Sequence, residues 1–119
     1  MKRRIATLAA VSGLAVFALS GLGQAATPKL VGTAGPSFTI KVTKAGKLVK
    51  AVKAGTYKIV VYDRASVHNF HLIGPGVNKK TTLAFTGSKT WTVTLKKGIY
   101  RYRCDPHAAD GMKGSFRVT

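Results

Sequence analysis

The chain has 119 residues, with twenty Lys and Arg against three acids and no glutamate, a formal charge of +17, and a single cysteine. A chain this short argues against a second domain or a large enzyme cleft, and one cysteine cannot form an internal disulfide. With only Asp63, Asp105 and Asp110 as acids, the paired carboxylates of a hydrolase are missing as well.

Residues 1–25 read as a secretory signal peptide. Lys2, Arg3 and Arg4 form a positive start, Ile5 to about Leu19 is apolar, and Gly23-Gln24-Ala25 offers small residues for cleavage, which predicts a mature start near Ala26. The apolar run of roughly 15 residues is shorter than the ~20 that span a bilayer core. The expected product is one small exported domain over 26–119. Removing Lys2, Arg3 and Arg4 leaves seventeen basic residues against three acids, formally +14.

Beyond the leader no long amphipathic helix is apparent. Short β-branched and aromatic runs alternate with Gly, Pro, Asn and Lys, the pattern of an all-β sandwich or barrel. Strands are predicted over 29–33, 38–43, 47–52, 55–63, 68–73, 81–85, 89–95, 99–104 and 113–118. Turns fall at Ala34-Gly35-Pro36, Ala45-Gly46, Ala54-Gly55, Gly74-Pro75-Gly76, Gly87-Ser88 and Lys97-Gly98. Period-two alternation puts Tyr100, Tyr102 and Cys104 on one face and Arg101 and Arg103 on the other. The same argument turns His68, Phe70 and Leu72 inward and Asn69, His71 and Ile73 outward, making His71 a surface histidine.

Cys104, His107 and Met112 follow the spacing Cys-x2-His-x4-Met. A thiolate, an imidazole and a thioether together suit copper, whereas zinc and iron rarely recruit a thioether. A blue-copper site needs a second histidine, and His68 is the candidate that the inward phase supplies. Pro106 stiffens the loop before His107, and Gly111 lets the backbone turn before Met112. Other chemistries fit poorly. Cys104 and His107 stand too close in sequence to leave a base-orienting element for a protease. Gly87-Ser88-Lys89-Thr90 lacks the upstream glycine of a phosphate-binding loop.

Cys104-Asp105-Pro106-His107 through Met112, with His68-Asn69 upstream, resembles the cupredoxins, and the plastocyanin-like members most closely. The aromatic strand Gly98 to Cys104 and the closing Gly114-Ser115-Phe116-Arg117-Val118 are also similar to that family. The resemblance implies a Greek-key β-sandwich of about seven or eight strands. It implies one copper ion held by His68, Cys104, His107 and Met112. It further implies that Asn69 ties its strand to the cysteine loop by hydrogen bonds, here towards Asp105, and that the Tyr100 hydroxyl bonds a neighbouring turn.

These residues point to a secreted or periplasmic one-electron carrier, not an enzyme, with His107 as the exit for electrons. Gly74, Pro75, Gly76, Val77, Pro106, Ala108 and Ala109 are expected to form a small apolar docking patch around it. A copper carrier or storage protein of the same fold is the alternative. Basic residues spread along the chain, without a nucleic-acid motif, favour an acidic redox partner or an anionic envelope over nucleic acid. The domain is expected to be a monomer.

Overall fold

The structure, a computed structural model, describes residues 26–119; the expected signal peptide lies outside the described residues. Among the described residues ten strands and one short helix are formed: β1 Lys29–Ala34, β2 Ile40–Lys44, β3 Lys47–Leu48, β4 Ala51–Val52, β5 Gly55–Asp63, β6 His71–Gly74, β7 Val77–Lys80, β8 Gly87–Leu95, β9 Gly98–Arg103, a 3-10 helix Asp105–Asp110, and β10 Lys113–Val118. They make two five-stranded sheets, ordered β3-β2-β1-β5-β8 and β4-β10-β9-β6-β7. Pairing is antiparallel except for β1 with β5 and β10 with β4. The fold is the expected all-β sandwich.

Alternation decides what lies between the sheets. Tyr57, Ile59, Val61 and Asp63 of β5 are buried in period two, as are Tyr100 and Tyr102 of β9 and Phe116 and Val118 of β10. Aromatic rings fill much of the second sheet's inner face. Tyr100 stacks on Phe116 at 5.6 Å and Phe70 on Tyr102 at 5.9 Å between ring centroids.

Register fixes which ends meet. Ala34 pairs with Asp63, and His71 and Lys113 both pair with Arg103, so the ends of β1, β5 and β9 and the starts of β6 and β10 share one pole. Thr81 bridges the sheets there: its Oγ1 accepts the N–H of Phe70 and donates to the Asp63 carboxylate. At the opposite pole the Tyr100 hydroxyl donates to the Pro75 carbonyl and accepts the N–H of Lys96 at 2.9 Å, so Tyr100 does bond a turn.

Three predicted strands differ in the structure. Residues 47–52 break at Val49-Lys50, because β3 joins the first sheet and β4 the second while Val49 turns into the core. No strand covers 81–85. Gly74 pairs with Val77 around a two-residue turn whose Gly76 has φ +72°, so the partner strand begins immediately after the turn and ends at Lys80. The strand expected over 68–73 begins only at His71. His68, Asn69, Phe70, His71 and Leu72 are all buried, which no single strand face allows.

Candidate metal centre

β9 delivers Cys104 to the site pole one residue beyond its last paired position, in phase with Tyr102 and fully buried. The loop that follows closes on itself. Pro106 lies in the first turn of the helix, where no N–H is needed. His107 N–H then bonds Cys104 O at 3.1 Å, and Met112 N–H bonds His107 O at 3.2 Å. Gly111, at φ +93°, caps the helix in the left-handed region, and Cys104 N–H reaches Met112 O at 3.0 Å. Met112 is thereby returned, buried, beside the cysteine that began the loop.

His68 arrives from the irregular connection between β5 and β6. Its Nδ1 lies 3.7 Å from Cys104 Sγ and 3.1 Å from His107 Nδ1, which is itself 3.4 Å from the sulfur. Among the described residues, His68, Cys104 and His107 form one group whose ligand atoms all lie within 4.8 Å of one another.

The donor chemistry fits a soft cation. His68 Nε2 faces the Pro36 carbonyl at 3.2 Å; a carbonyl only accepts, so Nε2 carries the proton and Nδ1 presents a lone pair inward. Two imidazole nitrogens and a sulfur converge with almost no other partner. A proton can reconcile one pair of them, whereas one metal ion reconciles all three.

Around these donors, Asn69 and Asp105 are tied reciprocally. Asn69 Nδ2 donates to Asp105 Oδ2 at 2.9 Å, and Asp105 N–H donates to Asn69 Oδ1 at 2.7 Å. Asn69 Nδ2 also reaches Thr81 O, and its backbone N–H points at Cys104 Sγ from 3.4 Å. Burial works against the Asp105 carboxylate, but hydrogen bonds from His71, Arg103 and Asn69 and the charge of His71 outweigh it, holding the group well below the usual carboxylate range.

His71 is not a surface histidine. It is 7% exposed, with Nδ1 2.9 Å from Asp105 Oδ1 and Nε2 2.7 Å from Asn78 Oδ1. The outward phase was correct for its direction, but the loop carrying Asp105 folds over that face and covers it. The sequence reading also missed the β1–β2 connection. Besides the Pro36 carbonyl it supplies Phe38, 61% exposed, whose ring meets His107 edge-on at 4.6 Å and His68 at 5.3 Å. Nothing in the local pattern around residues 36–38 links them to position 68; only the Gly-Pro turn hinted at a tight corner.

A sequence profile described as copper binding proteins, plastocyanin/azurin family, matches residues 31–119. The chain belongs to this family. Plastocyanin of Daucus carota is 53% identical to it over 32 residues, 26% of this chain and 33% of that protein, so the match spans about a third of that relative's length. Among solved structures, reduced rusticyanin superposes with a TM-score of 0.61 at 22% identity, covering 81% of both chains. Auracyanin from Roseiflexus castenholzii gives 0.53 at 23% identity, covering 82% of this chain and 99% of that one. Both share the fold.

In this cupredoxin, His68, Cys104, His107 and Met112 are positioned as a type 1 copper site. The surroundings of His107 need one correction. Gly74-Pro75-Gly76 and Val77 lie at the opposite pole, beside Gly98 and Tyr100, because β6 runs away from the site. Large exposed apolar side chains at the site pole are instead Phe38, whose ring lies against His107, Val67, which precedes His68, and Leu83 in the connection from β7 to β8. On the outer face of the second sheet a groove of about 840 Å³ is lined by Ile73, Ile99, Arg101, Arg103 and Lys113, together with Ala108 and Ala109 of the copper loop.

Proposed function

We propose that this cupredoxin is an exported one-electron carrier in which His68, Cys104, His107 and Met112 bind copper, with residues 1–25 removed as a leader and 26–119 forming the working domain. Copper bound there supplies a Cu(I)/Cu(II) couple. The observation that carries the reading is the convergence of His68 Nδ1, His107 Nδ1 and Cys104 Sγ within 4.8 Å, with the tautomer of His68 set by Pro36 O.

The protein's part is to keep those donors in place through both oxidation states. The main-chain bonds from Cys104 to Met112 and from His107 to Cys104 hold the loop as a rigid unit, so little rearrangement opposes electron transfer. Cys104 and His68 are buried, while His107 is half-buried under Phe38, which makes His107 the exit. An electron carrier of this kind needs no substrate pocket, and the reading assigns no catalytic residue.

Partners are proposed to be acidic redox proteins. Among the described residues Arg103 is the only Lys or Arg with a carboxylate partner, so the remaining cations are free to attract anionic surfaces. Association with such a partner should weaken steeply as salt is raised.

Adding Cu(II) to the oxidised, mature domain should produce the intense visible band of a thiolate-bound Cu(II), and stepwise reduction should bleach it reversibly at one potential. Absence of that band sinks the site. A band accompanied by rapid loss of copper to a weak chelator would favour copper delivery over electron transfer.

A further inference from the structure

We infer that His71 is a positioning residue for the copper loop: anchored by Asn78, it holds the Asp105 carboxylate that fixes Asn69 against Cys104. The inference rests on the proposed copper site and extends it to a residue to which the resemblance gives no role. The connections are continuous. Asn78 Oδ1 on β7 accepts from His71 Nε2 at 2.7 Å, and His71 Nδ1 on β6 lies 2.9 Å and 3.2 Å from the two Asp105 oxygens. Asp105 and Asn69 exchange two bonds, and the Asn69 N–H ends on Cys104 Sγ. Arg103 Nε adds a bond to Asp105 Oδ1 at 2.7 Å from the solvent side.

Packing alone does not account for this choice. An imidazole buried to 7% exposure costs free energy unless both ring nitrogens find partners, and an aliphatic side chain would fill the place without that demand. Its partners are directional, and one of them is the residue adjoining the metal thiolate. Asp105 takes bonds from three side chains, Asn69 and His71 on the stretch entering β6 and Arg103 at the end of β9, so it cannot turn without breaking all of them. Polar groups arranged this way behind metal ligands orient them and alter affinity and potential. An N–H aimed at the cysteine sulfur draws electron density from it, so loosening Asn69 strengthens sulfur donation to the oxidised ion and lowers the potential.

The test compares His71→Ala, His71→Gln and Asn78→Ala with the unaltered mature protein. In metal-free protein, amide hydrogen exchange at Asn69 should quicken selectively in His71→Ala, with the amides of β10 unchanged. Copper affinity should fall by about 10–100-fold and the midpoint potential should drop. His71→Gln keeps an N–H donor for Asp105 and should recover most of both. Asn78→Ala, altering an exposed side chain, should move every readout in the same direction by less. Unchanged Asn69 exchange and affinity in His71→Ala would overturn the inference, as would uniform quickening across both sheets. Should His71→Ala fail to fold, unchanged Asn69 exchange in Asn78→Ala would overturn it. If the unaltered protein binds no Cu(II) at its thiolate, the copper reading fails, and the metal-free exchange comparison still decides the role of His71.

Discussion

The Nε2–H of His68 meets the carbonyl of Pro36 at 3.2 Å, joining residues 32 positions apart across the mouth of the sandwich. That bond does two things at once. It fixes the proton on the outer nitrogen, leaving Nδ1 to face the thiolate, and it pins the β1–β2 corner against the ligand ring.

Gly35 makes this approach possible. Its φ of +79° lies in the left-handed region, and a Cβ there would stand 2.8 Å from His68 Cδ2. Gly35→Ala is therefore expected to lower metal-free stability by about 1–2 kcal/mol through backbone strain. Because the ring is displaced as well, copper binding should weaken by about tenfold. Urea denaturation and a competitive copper titration measure the two effects separately. Lost stability with unaltered affinity would show that the corner does not position His68.

Met112 combines packing with a thioether, and one substitution separates them. Met112→Leu keeps volume and apolarity at a site 1% exposed, so stability should change by less than about 1.5 kcal/mol. Removing a weak axial donor leaves Cu(II) less stabilised than Cu(I), so the midpoint potential should rise while the thiolate band persists. A potential equal to that of the unaltered protein would mean that the sulfur is only core.

What could be read from sequence follows from where the interactions are local. Cys104, His107 and Met112 lie on one short loop, and the alternation of Tyr100 and Tyr102 already carried Cys104 inward. Strands 55–63 and 113–118 were legible in full because their burial strictly alternates. His68 was placed inward, although by a strand phase that does not exist there: residues 68–70 leave the ladder and are held by Ala65, Thr81 and Pro36 instead. His71 was misplaced because its cover, Asp105, comes from a segment 34 positions away. Gly74 was assigned to the wrong pole in the same manner, since which pole a turn occupies depends on strand direction and not on neighbouring residues.

Tyr100 offers a control at the far pole. Its buried hydroxyl satisfies both Pro75 O and Lys96 N–H. Tyr100→Phe should destabilise the protein by about 1–3 kcal/mol by leaving those groups without their partner. The copper band and potential should stay as they were, because the β6–β7 turn is remote from the site. A shifted potential would reveal coupling along β9 that the hydrogen bonds do not predict.

Asp63 allows a pH prediction with a definite sign. Its carboxyl is 1% exposed at the end of β5, accepting Ala65 N–H and Thr81 Oγ1–H. Burial raises its pKa above the usual carboxylate value, and those two hydrogen bonds offset this only in part. The folded protein then holds the Asp63 proton more tightly than the unfolded chain does. Its contribution to stability is fully present below the unfolded value, about 3.9, and is lost as pH rises through the folded value. Asp105, whose pKa is lowered, contributes the opposite slope, with stability present above the unfolded value and lost in stronger acid. Asp63→Asn removes only the first term and leaves Asp105 in place. The stability of the metal-free protein relative to Asp63→Asn should therefore decline as pH rises from about 4 and then level off. Urea denaturation of both proteins across that range gives the difference directly, and a difference that grows with pH would show that the hydrogen bonds from Ala65 and Thr81 outweigh burial.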